Sequence, residues 1–317
     1  MTTATQVAPI SLPRKTLGGA ILAGFLLLYG GALFAMHAAT GFEVTEPLFA
    51  LAILAGGFSG LAWLLTIGVK PLSYVVLDAK GELAAIVQYG LFVVVFVTWG
   101  FSLLHRIATP GPQDAIVVLV AKLAVFVAIP AAVTTTRFGY SFRRLAPASG
   151  AARHILAMAG ISALLLIFQG VFGRGLRDLA AAHLSVTMIG LGVPLTLAWV
   201  SIEAGVVEEF FFRVLLQTRI SSAIRSELGA IVLTSLAFGL IHAPGLYLRT
   251  NLTQEGLPPH PSLLMAIGYS IVITSSAGFL FGVLWARTRN FAVLVMAHGM
   301  ADLLPNVLPT LRSIRLL

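Results

Sequence analysis

The sequence lacks cysteine and has few charged residues. None of its 317 residues is cysteine, which excludes disulfides, cysteine-ligated zinc, iron–sulfur clusters and a thiol nucleophile. Only 10% of the residues are charged, whereas a soluble domain carries about 25%. The chain is 58% hydrophobic with a mean hydropathy of +0.96, and a single globular core cannot bury so much apolar surface. The composition therefore predicts a protein whose main partner is the lipid bilayer.

Acidic residues are scarcer than basic ones, and the net charge is +8. A basic chain can bind nucleic acid, but here the Lys and Arg residues lie in short segments between apolar runs and form no continuous stripe. Membrane proteins are basic at the face that meets anionic lipid. We therefore expect no nucleic-acid partner.

Apolar runs long enough to cross a bilayer recur along the whole chain. A transmembrane helix needs about 20 mostly apolar residues. The sequence predicts an all-α polytopic bundle of eight or nine spans, near residues 18–39, 47–69, 84–104, 114–135, 154–173, 185–207, 228–244, 263–286 and 291–308. The stretch from Ser185 to Gln217 is too long for one simple span, which indicates a tilted helix or one that continues past the membrane surface.

Charges in the connections predict the orientation of these spans. With the N-terminus inside, thirteen basic residues face the cytoplasm: Arg14, Lys15, Lys70, Lys80, Arg137, Arg143, Arg144, Arg153, Arg213, Arg219, Arg225, Arg287 and Arg289. Six face outward: Arg106, Arg174, Arg177, Arg249, Arg312 and Arg315. This positive-inside bias predicts a cytoplasmic N-terminus. We expect an integral, multi-pass protein in the plasma (inner) membrane of a bacterium.

The two parts of the chain differ in where their acids and histidines lie. Residues 1–180 form N-terminal transmembrane helices in which the acids fall in loops or at span edges. Residues 181–317 place acids and histidines inside apolar spans, where a central charge costs roughly 2.5–3.5 kcal/mol on insertion scales. Such residues are retained when they are paired or functional, so we expect the active part of the protein there.

The first polar group is Glu208-Glu209-Phe210-Phe211-Phe212-Arg213. Glu209 and Arg213 are four residues apart on a helix and can form an ion pair. Glu208 points about 100° away from Glu209 and can face a cavity. The alternative is a charged helix end at the cytoplasmic surface, which the three phenylalanines disfavour.

The second group ends an apolar run at His242, two residues before Pro244, which would end or kink the helix. Phe238 and His242 share a helix face. Taken alone, a histidine at this position is more often a satisfied interfacial residue than a catalyst.

The third group places His298 and Asp302 on one helix face, with Gly299 and Ala301 leaving room beside them. A structural His–Asp hydrogen bond between packed helices is the alternative. One shared polar cavity would provide hydrogen-bond partners for all three groups. Without it, each group would need a structural explanation of its own.

In this order, Glu-Glu-x-x-x-Arg, Phe-x-x-x-His and His-x-x-x-Asp resemble the motifs of the CAAX-protease and bacteriocin-processing family, also called the Abi or Rce1-like family. The segment from Gly282 to Asp302 is similar as well. The resemblance implies that residues 181–317 form an intramembrane protease core acting on a membrane-associated substrate, such as a prenylated or leader-bearing protein.

The resemblance also implies roles for individual residues. Glu208 and His242 would activate a water nucleophile, and the His298–Asp302 motif would stabilise the oxyanion. Glu209 and Arg213 would support the first motif, with Phe238 on the face of His242. An ionised Asp302 cannot donate a hydrogen bond to an oxyanion, so we expect it to orient and polarise His298, which then donates.

The remaining alternatives concern metal and function class. Glu208, His242 and His298 could hold zinc, but the sequence has no His-Glu-x-x-His, and we expect no cofactor. A proton-coupled transporter could use the same buried acids and histidines. The sequence shows no inverted repeat, however, and its polar residues cluster at one end. A catalytically silent membrane scaffold is the third interpretation.

Overall fold

The structure, a computed structural model, describes residues 15–107, 112–248 and 257–314. Three arginines of the charge comparison, Arg14, Arg249 and Arg315, lie outside the described residues. Within the described ranges the chain is helical and contains no β-strand, which confirms the predicted all-α fold class.

The described residues include nine helices that are long and apolar enough to cross a membrane. They are α1 Thr16–Thr40, α2 Thr45–Leu65, α3 Ala79–Leu104, α4 Asp114–Phe138, α5 Ala152–Phe172, α6 Val186–Ile224, α7 Glu227–Leu248, α8 Leu263–Thr288 and α9 Phe291–Ser313. Two short helices, Phe142–Leu145 and Gly175–Ala181, lie between them. The helices correspond one by one to the nine apolar runs of the sequence, and the protein is an integral, multi-pass membrane protein.

Polar side chains set where several of the helices begin. A side-chain oxygen at the N-cap accepts from a backbone N–H of the first turn, which the helix itself leaves without a partner. The capping residues are Asp78 for α3, Ser185 for α6, Ser226 for α7, Ser262 for α8 and Asn290 for α9. The caps of α6 to α9 lie close to the starts expected from hydropathy, whereas α3 begins at Ala79, before the predicted start at residue 84.

The long stretch that begins at Ser185 forms one continuous helix, α6, of 39 residues. It ends at Ile224 because Arg225 adopts the left-handed conformation, with φ of 53°. The segment Ser201–Val206 and the segment Phe210–Gln217 are wider π-type turns. Such turns shift the helix face on which the following side chains lie and are frequent at functional sites.

The chain divides into two compact units, each built from separated segments. The first unit contains the described residues of Met1–Trp63, Ser73–Gly100 and Phe212–Ala286. Its apolar core joins residues of α1, α7 and α8, among them Phe25, Met36, Val232 and Val272.

The second unit contains Leu64–Leu72 and the described residues of Phe101–Phe211 and Arg287–Leu317. In it α9 packs against α5 and the first part of α6. Leu303, Val307 and Leu311 of α9 form its buried core together with Leu179 of the short helix Gly175–Ala181. The two glutamates of the first motif and the whole His298–Asp302 motif belong to this unit.

Candidate active site

His298 is the centre of a carboxylate cluster in the second unit. Its Nδ1 lies 2.6 Å from Oε1 of Glu209. On the other side of the ring, Nε2 lies 3.7 Å from Oε2 of Glu208 and 3.5 Å from Oδ2 of Asp302. The structure therefore brings together one imidazole and three carboxylates from α6 and α9.

The two adjacent glutamates have different environments. The Glu209 side chain is fully buried, whereas that of Glu208 is 18% exposed. Neighbouring residues of a helix point about 100° apart, so only one of the pair can face Nδ1 of His298. Glu209 holds the ring at Nδ1, and Glu208 lies on the side of Nε2. The pair does not sit at a helix end, because α6 continues to Ile224.

The phenylalanines after the glutamates are buried and pack against other aromatic rings. In the second unit Phe210 stacks on Phe142, with ring centroids 6.0 Å apart, and meets Phe291 edge-on at 6.1 Å. Phe211 packs edge-on against Phe126 at 5.7 Å. These contacts surround the turn that carries the glutamates with apolar side chains.

Two glycines allow α6 and α9 to approach closely. A Cβ on Gly205 of α6 would lie 2.9 Å from the carbonyl oxygen of Val295, and a Cβ on Gly299 of α9 would lie 2.1 Å from Oγ of Ser201. Small residues let transmembrane helices come into backbone contact, since lipid provides no hydrophobic drive for their association. The close crossing brings Glu209 within hydrogen-bond distance of His298.

The second motif and Arg213 lie in the first unit. His242 is half-buried, and its Nδ1 lies 2.7 Å from the carbonyl oxygen of Phe238. A carbonyl oxygen can only accept, so Nδ1 carries the hydrogen and Nε2 carries the lone pair of the neutral ring. The rings of Phe238 and His242 also meet edge-on, with centroids 5.0 Å apart. His242 is thus oriented by both the backbone and the ring of Phe238.

Arg213 orients Phe238 in turn. Its guanidinium is fully buried and lies 4.4 Å from the ring centroid of Phe238 and 5.3 Å from that of Phe281. Its Nη2 donates to the carbonyl oxygen of Gly278 at 3.1 Å. Cation–π contacts of this kind gain strength when they are desolvated.

Two polar features of the second unit were not predicted from the sequence. Lys122 of α4 forms an ion pair with Glu203 of α6. Gln169 of α5 is buried and hydrogen-bonds to the backbone of α9 on both sides of Asp302. The available signal was the same in each case, a polar side chain inside an apolar span.

The cluster has the groups that peptide hydrolysis requires. Carboxylates can accept a proton from water, and an imidazole N–H can donate to a developing oxyanion. Within the described residues, no group of three or more His, Asp or Glu side chains has the arrangement needed to hold a metal ion. Zinc held by Glu208, His242 and His298 stays the alternative to the expected metal-free site.

Comparison with known protein families gives a match. Residues 190–304 match the family model described as type II CAAX prenyl endopeptidase, Rce1-like. The matched segment contains Glu208, Glu209, His242, His298 and Asp302. Neither the curated proteins nor the solved structures give a match. The match confirms the family resemblance that the three motifs indicate.

Proposed function

Because residues 190–304 match the model of the Rce1-like CAAX endopeptidases, we propose that the protein is an intramembrane endopeptidase that hydrolyses a peptide bond with an activated water molecule. The observation that supports this reaction most directly is the cluster around His298. Three carboxylates near one imidazole, inside a membrane protein, are costly to bury without a function.

In the proposed reaction, Glu208 is the general base. Its side chain is the more accessible of the glutamate pair and lies on the Nε2 side of His298. Glu208 takes a proton from water while the water oxygen attacks the carbonyl carbon of the scissile bond. Nε2 of His242 accepts the second water hydrogen and orients the nucleophile.

His298 and Asp302 act on the carbonyl oxygen. As the tetrahedral intermediate forms, this oxygen gains negative charge. His298 acts as the imidazolium, with a hydrogen on each ring nitrogen, so Nε2–H donates to this oxygen while Nδ1–H stays bonded to Glu209. Glu209 fixes the ring through Nδ1, and Asp302 polarises it from the exposed side. When the C–N bond breaks, the proton held by Glu208 passes to the leaving amine. The second water hydrogen leaves the new carboxyl group through Nε2 of His242 to solvent, so the products are a carboxylate and an amine.

The substrate in this proposal is a membrane-associated peptide segment. The family match supports a prenylated C-terminus as the first candidate, and a leader-bearing peptide is the second. Both candidates place the scissile bond close to the bilayer, where the polar cluster lies between apolar helices.

The decisive experiment measures peptide release by the purified, detergent-solubilised or reconstituted protein. Three fluorogenic substrates are compared: a prenylated C-terminal peptide, the same peptide without the prenyl group, and a leader-bearing peptide. The Glu208→Gln variant is expected to lose about 100- to 10,000-fold in rate, because general-base catalysis contributes that much. Glu46→Gln, a change at an exposed acid, is the matched control and should keep full activity.

Equal cleavage by wild type and Glu208→Gln would contradict the mechanism. No cleavage of any substrate by a folded wild type would contradict the function and favour the transporter or silent-scaffold interpretation. The choice among the three peptides identifies the substrate class independently of the mechanism.

We also propose that the reaction needs no metal ion. The test is cleavage after prolonged dialysis against a strong chelator, followed by metal analysis of the active sample. Full activity in metal-depleted protein is the expected result. Loss of activity that added zinc restores would support the version with zinc held by Glu208, His242 and His298.

The orientation with a cytoplasmic N-terminus, in a bacterial plasma membrane, is a proposal based on the charge bias. Because the chain has no cysteine, single cysteines are unique reporters. A cysteine at Ser149 should resist a membrane-impermeant maleimide on intact cells, whereas a cysteine at Phe42 should react. The reverse labelling pattern would overturn the orientation.

A further inference from the structure

We propose that Gln169 is a positioning residue for the catalytic cluster, which fixes the course of α9 at Asp302. The inference rests on the proposed function. Gln169 belongs to α5 and lies outside the segment that matches the family model. The site would thus depend on a side chain from the part of the sequence without a family motif.

The carboxamide of Gln169 is buried and fully engaged. Its Nε2 donates to the carbonyl oxygen of Met300 at 2.6 Å and to that of Leu165, in its own helix, at 3.2 Å. Its Oε1 accepts from the backbone N–H of Leu304 at 3.2 Å. A buried amide with both ends satisfied fixes its surroundings, because leaving either group without a partner is costly.

The two backbone groups that Gln169 binds are the ones that bond to each other in a regular helix. The N–H of Leu304 is four residues beyond the carbonyl of Met300. The side chain of Gln169 therefore binds both members of one i, i+4 backbone pair of α9. Asp302 lies midway between these two residues.

The same turn of α9 is weakened by proline. Pro305 has no N–H to offer the carbonyl of Ala301, and its ring crowds the preceding turn. Asn306 adds a side-chain bond, donating from Nδ2 to the carbonyl oxygen of Asp302 at 2.7 Å. A helix loosened in this way can bend in more than one direction, and a side chain from a neighbouring helix can select one of them.

The bend direction sets where the Asp302 carboxylate lies relative to His298. His298 is one turn before the loosened segment and is held by Glu209, whereas Asp302 lies within it. Without Gln169, we expect the second half of α9 to turn away and the 3.5 Å approach of Oδ2 to Nε2 to be lost. A misplacement of about 1 Å can cost about 100-fold in rate.

The test variant is Gln169→Met, which keeps the length of the side chain and removes its hydrogen bonds. We expect kcat to fall by about 10- to 100-fold with KM nearly unchanged, because Asp302 and His298 act in the transition state. Gln169→Glu keeps the acceptor for Leu304, but its carboxylate cannot donate to the carbonyl oxygens of Met300 and Leu165, so it should not recover the activity. Gln88→Met, at an exposed glutamine of α3, is the control and should be neutral.

A distance measurement tests the geometry without relying on activity. Spin labels on cysteines at Phe172 and Ser313 report on the end of α9, and labels at Phe172 and Ala292 report on its start; all three positions are exposed. In Gln169→Met the first distance distribution should shift or broaden and the second should stay. If neither or both change, the proposal is wrong, because Gln169 then has no effect on α9 or only a general effect on packing.

The two proposals fail in different ways. A wild type that cleaves no peptide contradicts the protease function, while the spin-label distances still decide whether Gln169 directs α9. A wild type that cleaves, with an unchanged kcat in Gln169→Met, contradicts the positioning role and leaves the protease function intact.

Discussion

Nδ1 of His298 and Oε1 of Glu209 lie 2.6 Å apart, although the two residues are separated by 89 positions in the sequence. An ionised carboxylate only accepts, so this contact places a hydrogen on Nδ1 and turns Nε2 toward Glu208 and Asp302. A buried acid thereby orients the histidine, and the more accessible acids are left on the reactive side of the ring.

The first prediction concerns the Glu209–His298 contact. Removing one partner of a buried ion pair costs about 3–5 kcal/mol, so Glu209→Ala should lower the free energy of unfolding strongly and abolish cleavage. Glu209→Gln retains an acceptor for Nδ1–H and should be less destabilised than Glu209→Ala. Thermal unfolding of both variants in detergent measures their relative stability, and a cleavage assay measures their activity. Equal stability of the two variants would contradict the assigned contact.

The second prediction concerns the crossing of α6 and α9. Gly205→Ala places a methyl group 2.9 Å from a backbone oxygen, so the helices must separate and activity should fall by about 10- to 100-fold. Gly190→Ala, on the same helix, meets nothing within 4 Å and should be neutral or slightly stabilising. The test compares the cleavage rates of the two variants. Equal rates would contradict the prediction that the close approach at Gly205 is needed for activity.

The close approach of Gly299 offers a compensation test at the same crossing. Gly299→Ala clashes with Oγ of Ser201, which lies 2.1 Å from the added Cβ. Ser201→Ala removes that oxygen, so the double variant should be more active and more stable than Gly299→Ala alone. If the losses of stability in Gly299→Ala and Ser201→Ala simply add in the double variant, residues 299 and 201 are not in direct contact.

The third prediction is a double-mutant cycle between Glu208 and His242. If both groups act on one water molecule, Glu208→Gln already removes most of the rate that His242 can influence. The combined variant Glu208→Gln/His242→Ala should therefore be far more active than the product of the two single losses implies. Multiplicative losses in kcat/KM would assign the residues to independent functions.

The fourth prediction follows from the stacking of Arg213 on Phe238. Lys at position 213 keeps the charge but loses the planar group that lies 4.4 Å from the ring centroid. Arg213→Lys should lower cleavage by about tenfold, because Phe238 orients His242 and a small misplacement of a catalytic group is costly. Arg225→Lys, at an exposed arginine, is the control. Full activity of Arg213→Lys would remove Arg213 from the supporting set.

The fifth prediction separates stability from catalysis. In the first unit, Glu82 accepts from Nε of Arg219 at 3.0 Å, and both side chains are buried. Glu82 also accepts from the backbone N–H groups of Leu77 and Asp78. Glu82→Ala should cost about 3–5 kcal/mol of stability while the folded fraction keeps its kcat. A lower kcat at unchanged stability would place Glu82 in the reaction.

Apolar run length makes most of the fold predictable. The nine runs appear as nine helices in the described residues, and Ser185 and Asn290 begin α6 and α9 at the expected places. The signals are local, because each depends only on residues within one turn or one span. The match over residues 190–304 likewise confirms a family that the motifs alone indicate.

The contacts between side chains within the site could not be predicted from the sequence. From spacing alone, Glu209 has an obvious partner four residues away in Arg213, and the sequence gives no reason to place it against His298. Gln169 carries no motif, and its role depends on a backbone 131 positions further along the chain. Contacts between helices depend on rotation and crossing, which small residues such as Gly205 permit but do not specify.

The sequence by itself determined that this protein is embedded in the bilayer, roughly where its membrane-spanning helices lie, and which polar residues are costly enough to indicate a function. Hydropathy and insertion cost act residue by residue, so they can be read along the chain. The tertiary structure alone decided which carboxylate holds His298, which ones face its other nitrogen, and which amide holds the loosened turn of α9. Those choices depend on the packing of α5, α6 and α9, where a shift of one ångström determines whether a hydrogen bond exists.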